Sequence, residues 1–450
     1  SDPLAPFLPF IRVAAAPDTG TGLDNPRQQL NQITSFIDGS QVYGSDQERA
    51  NFLRTLDGTG KLKSQLINGE ELLPFNTAGF TNANIMAPIP DENMFIAGDV
   101  RANEQIGLTA VHTLFMREHN RLAEDLSSRL ASGDAAILAQ LDESELEEGD
   151  FIYESARKLV GAQIQVITYN EFLPLLIGDR LLDSYNGYNP QVDPAVSNEF
   201  ANAAFRVGHT LLSPEIARVS DNGSVLATIP LGNAFFDPQE IIDNGIDSLL
   251  LGLASQKAQR VDNMLVDGVR NFLPPIPTGG FDLATINLAR GRDIGLPSYN
   301  SARLGLGLQP VTSFLTTEDE LGITSDPEVA NLFASIYESV DDVDFWIGGI
   351  SEMPINNGLV GELLNVVIKE QFLRTMAGDR FFYLNDLEHL LVLDPHLETT
   401  RLADLIRRNS KIKNIQDNAF KSSQPVPEPS SLLAWVILIA GAGYQLQRKN

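Results

Sequence analysis

Two long stretches of helical periodicity constrain this chain more than any other feature. Over 107–127 the apolar residues Leu108, Val111, Leu114, Phe115 and Leu122 recur at helical spacing, with charge on the other side. The pattern repeats over 151–177 through Leu159, Val160, Ile164, Val166 and Ile167, closing at Pro174 and Gly178. Further helices are predicted over 198–212, 238–253, 256–270, 326–336, 361–376 and 399–410. Strand-like runs are few, no internal repeat is visible, and the Pro/Gly stretch 274–280 is too short for a domain linker. The chain therefore reads as mainly α with very little β, one large helical domain over about residues 1–420.

A length of 450 residues, 43% of them hydrophobic, can bury a large core. The formal net charge of −27 repels phosphate backbones and anionic membrane surfaces, which argues against nucleic acid as a partner. With no cysteine, disulfides, thiolate haem ligation, iron–sulfur clusters and Cys-based zinc sites are excluded.

Both ends read unlike the middle. Ser1-Asp-Pro-Leu-Ala-Pro-Phe7 has neither an initiator Met nor the basic and apolar regions of a signal peptide, so the chain is expected to begin inside a longer gene product. Residues 421–450 read as a tail: a Pro/Ser linker, an apolar run over 432–444 and the basic tip Arg448-Lys449. The run is short for a membrane span, which needs about 20 residues. A C-terminal core helix is one reading, although Pro425, Pro427 and Pro429 sever it from the domain. The other starts from Val426-Pro-Glu-Pro429 before an apolar stretch and a basic tip, which resembles the bacterial PEP-CTERM sorting tail. That resemblance implies export and handling by sorting machinery at the cell envelope.

The chemistry narrows to a few side chains. Only five histidines occur: His112, His119, His209, His389 and His396. His112 and His119, seven apart on one predicted helix, share a face but are too distant to chelate one ion, and read as structural, with Arg117, Glu118 and Arg121 nearby to satisfy them. His209 sits among Phe205, Val207, Leu211 and Leu212, and Gly208 beside it clears space for a close approach. It can ligate a metal or serve as a hydrogen-bonded core histidine. Arg101 and Glu104, three apart at the mouth of the 107–127 helix, can stabilise charge at a site or pair with each other and the helix dipole. Thr34-Ser-Phe-Ile-Asp38-Gly-Ser40 offers oxygens at alternate positions that suit calcium, or equally a turn with Asx and Ser/Thr capping.

Their order along the chain brings these segments together. Ile33 to Ser45, the Ala97-Gly-Asp block through Arg-Glu-His-Asn-Arg121, Ala156 to Ala162 with Ile167-Thr-Tyr, Phe205 to Thr210, Asn287-Leu-Ala-Arg-Gly-Arg-Asp293 with Gly295 to Asn300, and Trp346-Ile-Gly-Gly-Ile-Ser351 follow one another. This succession resembles the animal-type haem peroxidases of the peroxidase–cyclooxygenase superfamily, over nearly all of residues 20–400.

The resemblance implies a helical haem peroxidase domain with His209 as the proximal iron ligand and Asn287 accepting from the far imidazole N–H. It makes Arg101 the distal arginine, Glu104 an ester link to a haem methyl, and Arg290 a neighbour of a haem propionate. Arg206 joins this haem-binding set, standing where the fatty-acid cyclooxygenases carry a radical tyrosine, which argues against that branch. Thr34, Phe36 through its carbonyl, Asp38 and Ser40 match the calcium loop. Gln105 replaces the Met that in some members forms a sulfonium link, so that link is absent. The family's distal histidine, with its calcium-binding Asp, belongs upstream of every motif present. The function implied is peroxide-dependent oxidation of iodide, bromide, thiocyanate or small phenols. The alternatives are a surface haem-binding or adhesion protein without turnover, and a haem fatty-acid dioxygenase.

Overall fold

The first periodic stretch folds as α1, Ile106–Ala131, the longest helix of the described residues. These coordinates are a computed structural model, which describes residues 12, 14–83, 89–271 and 282–422. The Gln105 side chain caps α1 by accepting from Leu108 N at 3.0 Å. The second stretch opens as α2, Glu148–Ile167, packed along α1, but does not stay α-helical. Thr168–Phe172 widens into a π turn before Leu173–Ile177 resumes the α-helix. Pro174 accounts for the change, because its ring would press on the carbonyl of Asn170 in a regular α-helix and its nitrogen has no proton to donate.

Later in the chain come α3, Leu283–Ile294; α4, Phe345–Ser351; α5, Glu362–Ala377; and α6, Leu402–Asn409. An acidic residue of the π turn holds the last of these. Glu171 Oε2 accepts from Leu402 N at 2.8 Å, and burial pushes the Glu171 carboxyl up to about 7.

The predicted helices over 326–336, 361–376 and 399–410 form as Pro327–Ile336, α5 and α6. Three others need correction. The 198–212 stretch breaks at Ala203 into Asn198–Asn202 and the 3-10 turn Ala204–His209. The 238–253 stretch breaks at Gly245, whose φ of 65° favours glycine, into Pro238–Asn244 and Asp247–Ser255. Of 256–270 only Asp267–Arg270 is helical, because the Gln256 amide bonds Ala217 N and Glu215 O on a neighbouring strand and the chain leaves extended.

Among the described residues strands are confined to three two-stranded sheets. Gln65–Ile67 pairs antiparallel with Glu70–Leu72, Glu215–Val219 antiparallel with Val225–Pro230, and Ser313–Leu315 parallel with Gly322–Thr324. The fold is thus mainly α with very little β. One cluster of buried apolar side chains extends from Val42 to Phe420. No helix among the described residues is long and apolar enough to cross a membrane. The Pro/Gly stretch over 274–280 and the tail from 423 onwards lie outside the described residues.

Candidate active site

His209 closes the 3-10 turn Ala204–His209, which packs against α4 and α5. Close approach on this side depends on two glycines of α4: a Cβ on Gly348 would collide with the Tyr299 ring, and one on Gly349 would meet Leu364 at 2.6 Å. Opposite His209, fully buried Asn287 of α3 places Nδ2 2.8 Å from the imidazole Nδ1. The Asn287 carbonyl oxygen accepts from Arg206 Nη1 at 2.8 Å, and Arg206 Nη2 reaches Asn202 Oδ1 at 3.4 Å. This differs from the expected polarity: the cationic Arg206 takes the amide oxygen, leaving the amide N–H to face the ring. Burial, helped by the Arg206 charge, pushes the His209 pKa down to about 3, so the imidazole is neutral. Among the described residues nothing bonds its Nε2. A neutral ring braced at one nitrogen and open at the other fits an iron ligand. Arg290, one turn along α3 from Asn287, is buried with Nη1 4.0 Å from Asp293 Oδ2.

Arg101 and Glu104 come together in the turn that leads into α1, where Glu104 N bonds the Arg101 carbonyl at 2.8 Å. Asp99 organises this turn. Its Oδ1 accepts from Arg101 N at 2.8 Å and Nε at 3.0 Å, and its Oδ2 from Nη2 at 2.7 Å. That bidentate pair holds the buried Asp99 carboxyl below its usual range despite desolvation. Burial raises the Glu104 carboxyl, which the nearby Arg101 charge only partly offsets. Asn103 pins the same turn through Phe95, its Oδ1 accepting from Phe95 N at 2.9 Å and its Nδ2 donating to Phe95 O at 2.7 Å.

Gly98 fixes where the turn sits. A Cβ there would strike Ser40 O and Gly44 N and lie 2.7 Å from Tyr43 N, so only glycine lets the two backbones meet. Asp99 N also bonds Gln41 O at 3.0 Å. The 38–44 segment therefore backs directly onto the turn that carries Arg101.

Over 34–40 Thr34 Oγ1 accepts from Phe36 N at 3.0 Å and Asp38 Oδ1 from Ser40 N at 2.9 Å. Gln165 of α2 donates to Ile37 O at 2.8 Å. Thr34, Asp38 and Ser40 line a cavity of about 330 Å³ together with Asp46, Arg54, Glu154 and Arg157. Phe36 does not line it, and two arginines do. Among the described residues no group of three or more His, Asp or Glu is placed to hold a metal ion.

His119 is structural, as its spacing implied, but through other partners than expected. Its Nδ1 meets Tyr43 OH and its Nε2 meets Gly60 O, each at 2.9 Å, while Glu118 pairs with Arg121 and Arg408. His112 is less well satisfied. It is buried with no partner for Nδ1 among the described residues, and burial pushes its pKa down to about 4, against the Asp99 charge. Asp99, and the nearness of its charge to His112, escaped the sequence reading. The available signal was a Gly-Asp pair just ahead of an arginine at the mouth of a helix.

Residues 1–420 match the animal haem peroxidase family. The chain belongs to that family. As a haem peroxidase relative it is 36% identical to Peroxinectin A of Dictyostelium discoideum over 88% of this chain and 70% of that protein. It is 35% identical to lactoperoxidase of Mesocricetus auratus, over 95% of this chain and 59% of the relative. Of the Drosophila melanogaster Peroxidasin it spans only 23%. The solved structure of peroxidase A from Dictyostelium discoideum superposes with a TM-score of 0.79 at 35% identity, covering 91% of this chain and 76% of the other. A fatty acid alpha-dioxygenase of Arabidopsis thaliana shares the fold at TM-score 0.64 and 19% identity, over 88% of this chain and 65% of the other. Membership of this family implies haem.

Proposed function

We propose that this chain is a haem peroxidase that uses hydrogen peroxide to oxidise iodide, bromide, thiocyanate or small phenols. The observation that carries this reading is the neutral His209 imidazole, braced at Nδ1 by Asn287 and open at Nε2. Haem, when bound, supplies the redox chemistry. Ligation through Nε2 requires the ring proton on Nδ1, so Asn287 would turn its oxygen to that proton. Arg101, fixed by two contacts to Asp99, presents positive charge where peroxide ionises. Arg206 and Arg290 suit haem propionates, whose charge they complement. Gln105 spends its side-chain oxygen on the α1 cap and offers no sulfonium, which argues against chloride as a substrate. Arg206, engaged with Asn287 and Asn202, leaves no tyrosine at that place for a dioxygenase.

Calcium belongs to this reading as a ligand of Thr34, the Phe36 carbonyl, Asp38 and Ser40. Four oxygens are fewer than the roughly six to eight that the ion takes. The remaining ligands would be water or oxygens from sequence ahead of Ser1, where this reading also looks for the distal base. Export to the bacterial envelope, through a PEP-CTERM-like tail, is the matching proposal for location.

The test compares haem-loaded residues 1–450 with the same chain carrying its upstream sequence. Peroxide-dependent iodide oxidation is expected in both, slower in the shorter chain by about a hundredfold to ten-thousandfold, the usual worth of acid–base help. Equal rates would show that the distal histidine is dispensable or supplied from within residues 1–450. Absence of turnover in the longer chain would favour a haem-binding or adhesion protein.

Glu104 gives a second check. Its raised carboxyl pKa reflects a site that favours the neutral form, as an ester is neutral. After peroxide treatment, acid–solvent extraction is expected to leave haem on the wild type and release it from Glu104→Gln. Complete release from the wild type would remove the ester from this account.

A further inference from the structure

A line of aromatic rings leads away from His209. Phe205, on the same 3-10 turn, has its ring centroid 5.9 Å from that of Phe372. Phe372 is 5.9 Å from Tyr169, Tyr169 is 5.3 Å from Phe382, and Phe382 is 4.9 Å from Tyr185. Phe372, Tyr169 and Phe382 are buried, whereas Tyr185 is partly exposed. The rings meet edge-on or tilted, as packed aromatic pairs generally do. Packing alone, however, does not call for a phenol in the middle of the line and another at its outer end.

Of these five rings only the two phenols are readily oxidised; the phenylalanines shorten the gaps between them. A phenol sheds its proton as it loses an electron, so the electron vacancy rests where that proton has somewhere to go. Tyr169 OH donates to the Phe372 main-chain carbonyl at 2.8 Å, a weak base, in surroundings that raise its pKa well above the usual value. Tyr185 OH donates to Asn385 Oδ1 at 2.8 Å near the surface, where water can take the proton. Asn385 also bonds the Asp379 and Arg380 carbonyls at 3.1 and 3.3 Å. The Arg380 guanidinium lies 4.5 Å from the centre of the Phe381 ring, which is 70% exposed. Tyr185 thus lies near the surface, tied through Asn385 to the loop that exposes Phe381.

Building on the peroxidase reading, we propose that Tyr185 is a surface oxidation site serving phenolic polymers too large to reach the haem. Tyr185 gives one electron, along the ring line, to haem oxidised by peroxide, and its phenolic proton goes to water. The resulting phenoxyl takes one electron and one proton from a donor phenol, which restores Tyr185. Two such cycles balance the reduction of one hydrogen peroxide to two waters.

The test uses the haem-loaded chain with its upstream sequence, organosolv lignin, which carries no sulfonates, as the polymer and iodide as the small donor. Peroxide in the presence of a nitroso spin trap is expected to give a phenoxyl signal and a trap adduct on the Tyr185 peptide. Tyr185→Phe keeps the ring packing and should lose the adduct and the lignin oxidation while oxidising iodide at the wild-type rate. Tyr169→Phe should show the same split. Unchanged lignin oxidation in Tyr185→Phe, or no adduct on Tyr185 while iodide is turned over, would overturn the proposal. Failure of the wild type to oxidise iodide would overturn the peroxidase reading, and this proposal with it.

Discussion

His209→Ala is expected to leave a folded protein that no longer retains haem. His209 ends a short turn held by α4 and α5, and among the described residues its side chain bonds Asn287 alone, so its removal disturbs little of the core. Losing a residue that braces a metal ligand typically costs 10- to 100-fold in affinity, roughly the expectation for Asn287→Ala. Losing the ligand itself should cost more than about a hundredfold by the same scale. Titration of both variants with haem, followed by its visible absorption, measures the order. Circular dichroism matching the wild type confirms the fold. A His209→Ala spectrum identical to that of the wild type would remove His209 from the iron.

Arg101→Ala should lower kcat/KM for peroxide by about a hundredfold to a thousandfold, the usual loss when one fixed charge-stabilising donor is removed. The direction follows from the pairing with Asp99. The guanidinium both presents charge and holds the buried Asp99 carboxyl below its usual range, so without it the Asp99 carboxyl would rise. Arg101→Lys keeps the charge but cannot reproduce the contacts to both Asp99 oxygens, and should fall between the two. Steady-state rates with iodide at saturating donor decide the matter. Wild-type kcat/KM in Arg101→Ala would show that peroxide is ionised elsewhere.

Much of this fold is visible in the order of residues. α1 and α2 follow from hydrophobic spacing because each lays a broad apolar face on the core, and Pro174 and Gly178 mark the end of the second stretch. The split helices were missed because Gly245 and Ala203 break the backbone without breaking the apolar pattern. The 256–270 segment was misread because a side chain, Gln256, takes backbone partners on a distant strand, which no local pattern reports. At the candidate site, His209, Arg101 and Asn287 stand out in the sequence as parts of ordered motifs, and their roles there are proposals. What sequence could not supply was who bonds whom: Arg206 rather than His209 holds the Asn287 oxygen, and Asp99 rather than Glu104 holds Arg101.

The π turn at Thr168–Phe172 holds one residue more than a turn of α-helix would, which makes it a place where the chain can absorb a change of length. A gene that lost one codon there would close the turn into regular α-helix and leave Leu173–Ile177 facing as before. Leu176 O would keep Leu359 N, now at 2.8 Å, and Ile177 O would keep Asn365 Nδ2, now at 2.7 Å. The strain would fall instead on Pro174, whose ring in a regular helix presses on the carbonyl one turn earlier, at about 3 kcal/mol or more. A single-residue gap is therefore tolerated here only together with replacement of Pro174.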